Sequence, residues 1–520
     1  MMNRKTLVTY ICVAAVLILG IAAAVYFLYA KKSALGSKTP VSESFTLLEA
    51  VPSDAAVLLC CDDFGRGSAE LSDSTSILRL LVSDGKKDPF YNYLARVSSL
   101  MGPGSEARSL HSRQMALSLH YSGSMLPLMI VQLHEADSLQ ASLLGSVAAD
   151  YSLASERVEA SDGSQMLLVS ASETLVGSSK RHLSEGVSIL SDKSFSDCAS
   201  SVGGKEVLFI RNEYSDRLTA HFLSRQVRSI GGSSFLKGFA DWTAFSIESV
   251  RDGKTDAVGL AQCSAGSDQF ANFLSSVEPS ELSFEEVVPS TAVYALAVGL
   301  KDVGKYVEEF RRSQVQDMQK YKSVQEKLRR REGIAPENWA QALEIKEVVK
   351  TAWFSGDALL EAVMVRVGKK NYELVTGSRN TKANRASLLN PQKYNFSGFA
   401  SSLFGQAFSV DADSSYVMTG EWIVSGSPSA MEDYAARLAE SDCLGKRLEE
   451  TDAASVLPLG DCTMAAYFSP VGWDSREYCS KTLSGVADEL KAPFAYEPAV
   501  LSAGAGGLEL KIVKVWNSNQ

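Results

Sequence analysis

Five histidines, a few paired acids and a serine-rich sequence are the residues of this chain that could do chemistry. The histidines are His111, His120, His134, His182 and His221, and no two of them are spaced i, i+4. A zinc site of the HExxH kind needs two on one helix face, so the spacing supports none. His120 alternates with Leu117 and Leu119 along a strand-like run, which predicts a surface or internally satisfied imidazole. A serine nucleophile fares no better, because the GxSxG elbow is missing. Ser83-Asp84-Gly85-Lys86 matches SxxK without the companion SDN and KTG elements and reads as a turn. The glycines of Ser502 to Gly507 lack the lysine of a phosphate-binding loop and predict a hairpin turn. Asp62-Asp63 and Glu285-Glu286 flank strands; a glycosidase pair drawn from distant acids stays open, and the sequence nominates none. The sequence thus assigns no catalytic, cofactor-binding or metal-ligating residue.

Two further groups suggest contacts rather than catalysis. Arg329-Arg330-Arg331 is the densest basic run. It suits a helix C-terminus, where cations complement the dipole, or an anionic lipid surface, worth about 1 kcal/mol per residue. Trp242, Trp339, Trp353, Trp422, Trp473 and Trp516 sit in strand or helix patterns, which predicts core packing, whereas exposure would mark an interface.

The elements that position these residues follow a pattern that runs twice. VPSDAAVLLCCDDF from Val51 and VPSTAVYALAVGL from Val288 each put a Pro-Ser turn before an apolar run, as a buried strand requires. Helical sequence follows, from Ser74 to Leu100 and from Asp302 to Arg331. Hairpins come next, turning at Ser122-Gly123-Ser124 and at Gly356-Asp357. A strand, a Gly-Ser turn and a helix are then expected from Leu175 and again from Ile423, followed by strands at Glu206 and Thr463. Each cycle closes on a hairpin, from Trp242 and from Ala499. Hairpins imply antiparallel pairing, so the expected class is α+β, with two similar halves of largely antiparallel sheet backed by helices. The expected halves are residues 45–275 and 284–516, joined through SSVEPSELSF.

Composition bounds the rest. At 520 residues, 45% apolar and 22% charged, the chain is long and apolar enough for more than one core. A net charge of -10 argues against a nucleic-acid partner, which needs concentrated Lys and Arg. Of the 8 cysteines one, Cys12, lies in an apolar stretch, leaving an odd number elsewhere, so a complete disulfide framework is not expected. That stretch, Leu7 to Ala30, carries no charge or proline. At about 1.5 Å per residue it spans a hydrocarbon core of roughly 30 Å, and it exceeds the apolar region of a signal peptide. Arg4 and Lys5 precede it; Lys31 and Lys32 follow. The expectation is a cytoplasmic tail at 1–6, a transmembrane helix at 7–30, a polar linker at 31–44 and an extracytoplasmic remainder.

The P-x-D/T-A opening strands (Pro52 to Ala55 and Pro289 to Ala292), the Val-Gly-Ser-Ser turn at Val176 and the apolar N-terminus resemble an uncharacterised family of membrane-anchored bacterial envelope proteins, known as a domain of unknown function. The resemblance covers most of the chain after the linker. It implies a single-pass protein of the cell inner membrane and brings no catalytic residues. Three classes of function remain: a non-catalytic interaction or scaffold protein with envelope partners, a carrier of an apolar or lipid ligand, and an enzyme of unrecognised class.

Overall fold

The computed structural model describes residues 39–514 except 74–75, 83–88, 161, 223–236, 252–253, 265–268, 275, 315–317, 357, 369–374, 376–389, 452, 458–461, 470–495 and 505–506. The expected tail 1–6, the apolar stretch 7–30, most of the linker, the SxxK match, Cys479, Trp473 and Trp516 lie outside the described residues. Among those described, no helix is long and apolar enough to cross a membrane.

The fold is α+β. Its strands are β1 (Val57–Cys61), β2 (Met115–Tyr121), β3 (Met125–Leu133), β4 (Ala154–Glu159), β5 (Gln165–Ser170), β6 (Glu206–Arg211), β7 (Trp242–Arg251), β8 (Lys254–Gln262), β9 (Ala292–Gly299), β10 (Ile345–Ser355), β11 (Ala358–Val367), β12 (Gln392–Lys393), β13 (Ser415–Thr419), β14 (Trp422–Gly426), β15 (Cys462–Phe468), β16 (Tyr496–Gly504) and β17 (Gly507–Lys514). The helices used below are α1 (Phe64–Ser72), α2 (Pro89–Leu100), α3 (Ser138–Asp150), α4 (Glu173–Glu185), α5 (Lys193–Ser201), α6 (Ser215–Phe222), α7 (Val303–Ser313), α8 (Met318–Glu332), α9 (Pro336–Leu343), α10 (Phe399–Phe404), α11 (Pro428–Ala439) and α12 (Leu444–Glu450). Asp63, Ser172, Asp192, Asp302 and Ser427 each accept a bond from the backbone N–H three residues on, so five of the helices begin at a side-chain cap.

Among the described residues all strand pairings are antiparallel. They form two sheets, β4-β5-β3-β2-β1-β6-β7-β8 and β12-β13-β14-β11-β10-β9-β15-β16-β17. Pairing of β8 with β17 joins them into one 17-stranded sheet. Helices cover both faces, which is why the central β1 is apolar at every position instead of alternating. Cys60 packs with Ala116, Phe209 and Trp242 on one side of it, Cys61 with Leu117, Met129 and Tyr93 on the other.

The registers match strand by strand. Starting from Leu59, pairing leads through Leu208 and Phe245 to Gly259. Starting from Leu296, at the same distance from its Val-Pro-Ser turn, it leads through Ala466 and Leu501 to Leu510. Val258 therefore corresponds to Glu509, and these two are paired across the seam between the sheets. Equivalent positions of the two sheets thus meet at that pair. In the other direction Leu59 leads through Leu117, Met129 and Val169 to Ser155, and Leu296 through Lys350, Val363 and Ser425 to Tyr416.

Several local expectations need correction. The segment from Ser74 holds a short 3-10 turn before α2 instead of one helix, and α1 precedes it. The segment from Asp302 is two helices, α7 and α8. Gly177 lies inside α4, whose cap is Ser172, so no turn falls there. The linker does not stay loose to Ser44: Pro40 bridges Gly203, Val41 is buried, and Val41–Ser44 forms a helical turn. Ser280, in the expected join, pairs with Cys462.

Candidate functional site

The most reactive-looking arrangement stands where β1 and β2 meet. Ser118 and His120 alternate along β2 and so share a face. The register Val57↔Leu119 brings the turn before β1 beside them, and with it Asp54. Ser118 Oγ lies 2.8 Å from His120 Nε2, and His120 Nδ1 lies 2.8 Å from Asp54 Oδ1. That is the bond order of a Ser-His-Asp triad. The bond to His120 holds the Asp54 carboxyl below its ordinary range against the opposing effect of burial.

Exposure argues against hydrolysis. A working triad offers its serine to substrate and buries its acid. Here Ser118 is 0% exposed, His120 is buried, and the Asp54 side chain is 58% exposed. Ser118 Oγ also sits 3.5 Å from Leu128 O. The chain fastens the Pro52–Asp54 turn to β2. On the sequence His120 read as surface or satisfied, and it is the buried, satisfied one of those alternatives.

Buried acids form a second group. Glu206, opposite Cys61 at the start of β6, lies 3.6 Å from Arg66 Nε, and Arg66 also reaches Asp62 at 3.1 Å. Burial first, then the nearby charge of Glu70, pushes the Glu206 carboxyl well up. Asp63 caps α1 and stands 3.1 Å from His111 Nδ1. In the second sheet, Glu347 on β10 accepts from Ser283 N at 3.0 Å and faces Arg366 at 3.4 Å. Burial raises its pKa to about 8. Gln114 occupies the corresponding place in the first sheet and donates from Nε2 to Ser44 O. Both side chains thus hold a Ser-Phe segment, Ser44-Phe45 or Ser283-Phe284, that leads to the opening strand. Lys350 and Glu361 are 3.2 Å apart, and burial raises Asp413 to about 6.

These clusters lie apart, and among the described residues no group of three or more His, Cys, Asp or Glu could hold a metal ion. A cleft lined by Glu278, Lys301, Asp302, Lys305 and Tyr306 encloses about 10 Å³, room for one water at most. Arg217 is stacked between Tyr121 and Tyr214, 4.9 and 4.8 Å from the ring centroids. Arg211 continues the stack, 5.1 Å from Tyr214 and 5.6 Å from Trp242.

The other sequence candidates have structural places. Arg329 and Arg330 both pair with Glu326, and Arg331 with Glu332 and Ser397 O, so the basic run is occupied within the fold. Glu285 and Glu286 form a 3-10 turn before β9. Trp242, Trp339, Trp353 and Trp422 are core residues. Sequence reading missed Asp54 as the partner of His120, because 66 positions separate them. Their one shared signal is that each adjoins a strand predicted to be buried.

No family model matches this chain, and neither a curated protein nor a solved structure is significantly similar to it.

Proposed function

We propose that this chain is a membrane-anchored extracytoplasmic protein of the cell envelope that acts through protein contacts, as a scaffold or interaction module, and not by catalysis. The observation that carries this reading is the inverted triad: its hydroxyl is sealed in the core while its acid meets solvent. The buried acids likewise tie one segment of the fold to another, as Glu347 does to Ser283. Anchoring rests on the apolar stretch Leu7 to Ala30. We read the two sheets as an internal duplication with halves at 45–275 and 284–516, supported by the matching registers and by the paired Ser-Phe clamps.

The test combines location and chemistry. The chain should stay with membranes through a carbonate wash, and protease added to spheroplasts should digest the part beyond residue 39. Full protection overturns the orientation, and release by carbonate overturns the anchor. A covalent serine-hydrolase probe that labels Ser118 in the folded protein overturns the non-catalytic reading.

A further inference from the structure

The two sheets end differently at corresponding strands. In the second sheet, β13 is not the edge: Gln392 of β12 pairs with Tyr416, and Tyr394 N donates to Ser414 O at 2.9 Å. Ser155 of β4 is the residue that corresponds to Tyr416. Among the described residues β4 pairs with β5 alone, so the place taken by β12 in one sheet is open in the other. The direction of the free groups follows from the hairpin. Ala160 N donates to Ser164 O, so Ala154, Glu156 and Val158 bond to β5. Ser155, Arg157 and Glu159 then turn their N–H and C=O groups outward.

Open edges are ordinarily blunted, and here the nearby side chains are drawn aside. Arg157 is held by Ser138 and Ser142 of α3. Glu156 is held by Lys180 of α4. Glu159 is exposed, and among the described residues no cation pairs with it. Beside the edge, Leu139 is 81% exposed, next in sequence to the Ser138 that binds Arg157. Backbone donors and acceptors, one acid and one apolar side chain are thus presented together.

We propose that β4 is a strand-addition site for an extended, lysine-bearing segment of a partner protein, which pairs with Ser155 as Gln392 pairs with Tyr416 and runs on along Arg157 to Glu159. The main chain supplies affinity, lysine answers Glu159, and an apolar residue covers Leu139. This deepens the interaction reading above by naming the surface and the kind of partner. It does not depend on membrane location, so peptide binding by a chain that fails to fractionate with membranes would sink only the envelope assignment.

The probe is a synthetic peptide copying residues 386–395 with lysine in place of Leu388, the position that the register of β12 sets opposite Glu159, added to the full chain in detergent. Site-resolved hydrogen exchange is read at residues 155, 157 and 159. The peptide should slow these amides by about tenfold or more, and leave the buried amides of β1 unchanged. Ser155→Pro, which removes an outward N–H and no ladder bond at an exposed side chain, should abolish the slowing while the melting temperature holds. Glu159→Lys keeps the backbone intact and should weaken the effect several-fold by charge repulsion. The proposal is overturned if the peptide slows none of these amides, or slows them equally in both variants. It is also overturned if they are already protected in the dilute free chain, because another part of this chain, or a second copy, then occupies the edge.

Discussion

Removing the imidazole of His120 would leave Ser118 without its nearest side-chain partner and Asp54 without the bond that holds its turn. His120→Ala should therefore cost about 1–3 kcal/mol, read as a shift of the denaturation midpoint. Ser118→Ala should cost only about 1 kcal/mol, because His120 keeps Asp54. Equal losses would mean that the three do not act as a chain. Glu347 yields a pH prediction. In the unfolded chain its carboxyl ionises near 4.5, but in the fold it keeps its proton to about 8. The folded state binds more protons between those values, so the contribution of this group to stability falls as pH rises through that window. Glu347→Gln should remove that part of the slope. The variant should melt higher than the parent above pH 8, and about equally near pH 4. Gln114 already fills the corresponding position, so the amide has a precedent in the same molecule. A variant that melts lower than the parent at every pH would refute the account.

At the scale of elements, Asp433 docks α11 onto the end of β10. It accepts from Trp353 Nε1 and Arg437 Nε, each at 2.7 Å, and from Ser355 Oγ. Asp433→Ala strands a buried indole N–H, and a loss of about 2–3 kcal/mol is expected in denaturant titration. A neutral result would show that α11 is held by packing alone. Which elements could be read from sequence follows from similar local causes. The Gly123 and Gly356 hairpins were legible because both glycines take positive φ, at 78° and 56°, between apolar runs. β4 escaped notice because ASERVE alternates weakly and lies at an edge, where one side needs no apolar residue. α1 carries Gly65 and Gly67, which weaken the helical signal of its sequence. Gly65 is there to admit the His111 ring, since a Cβ would come within 2.2 Å of it. The candidate site was less legible than the fold: Ser118 and His120 share a strand, but Asp54 joins them only through the β1–β2 register.

Across the whole molecule, the seam between the sheets sets Val258 opposite Glu509. Facing residues of an antiparallel pair place Cβ atoms about 4.5–5.5 Å apart, close to disulfide reach. Val258→Cys combined with Glu509→Cys should form a cross-link under mild oxidation, found by peptide mapping; its absence would count against the seam. The native chain should not rely on such bonds. Cys60, Cys61 and Cys198 are buried thiols whose ionisation is suppressed by desolvation. Reductant should leave the melting temperature nearly unchanged, whereas losing a native disulfide typically costs about 2–5 kcal/mol. The way the chain enters the fold has a mechanical side. Pro40 and Val41 are tied to Gly203 and Val202, just ahead of β6, and the chain then runs into β1. β1 is flanked by β2 and β6, with five registered pairs on each side. A pull on the N-terminal side first loads the short contact at Gly203 and then tries to slide a central strand past both neighbours at once. Sliding breaks many hydrogen bonds together, whereas an edge hairpin opens one pair at a time. Under tension from a tether the body should resist like a bolt in shear.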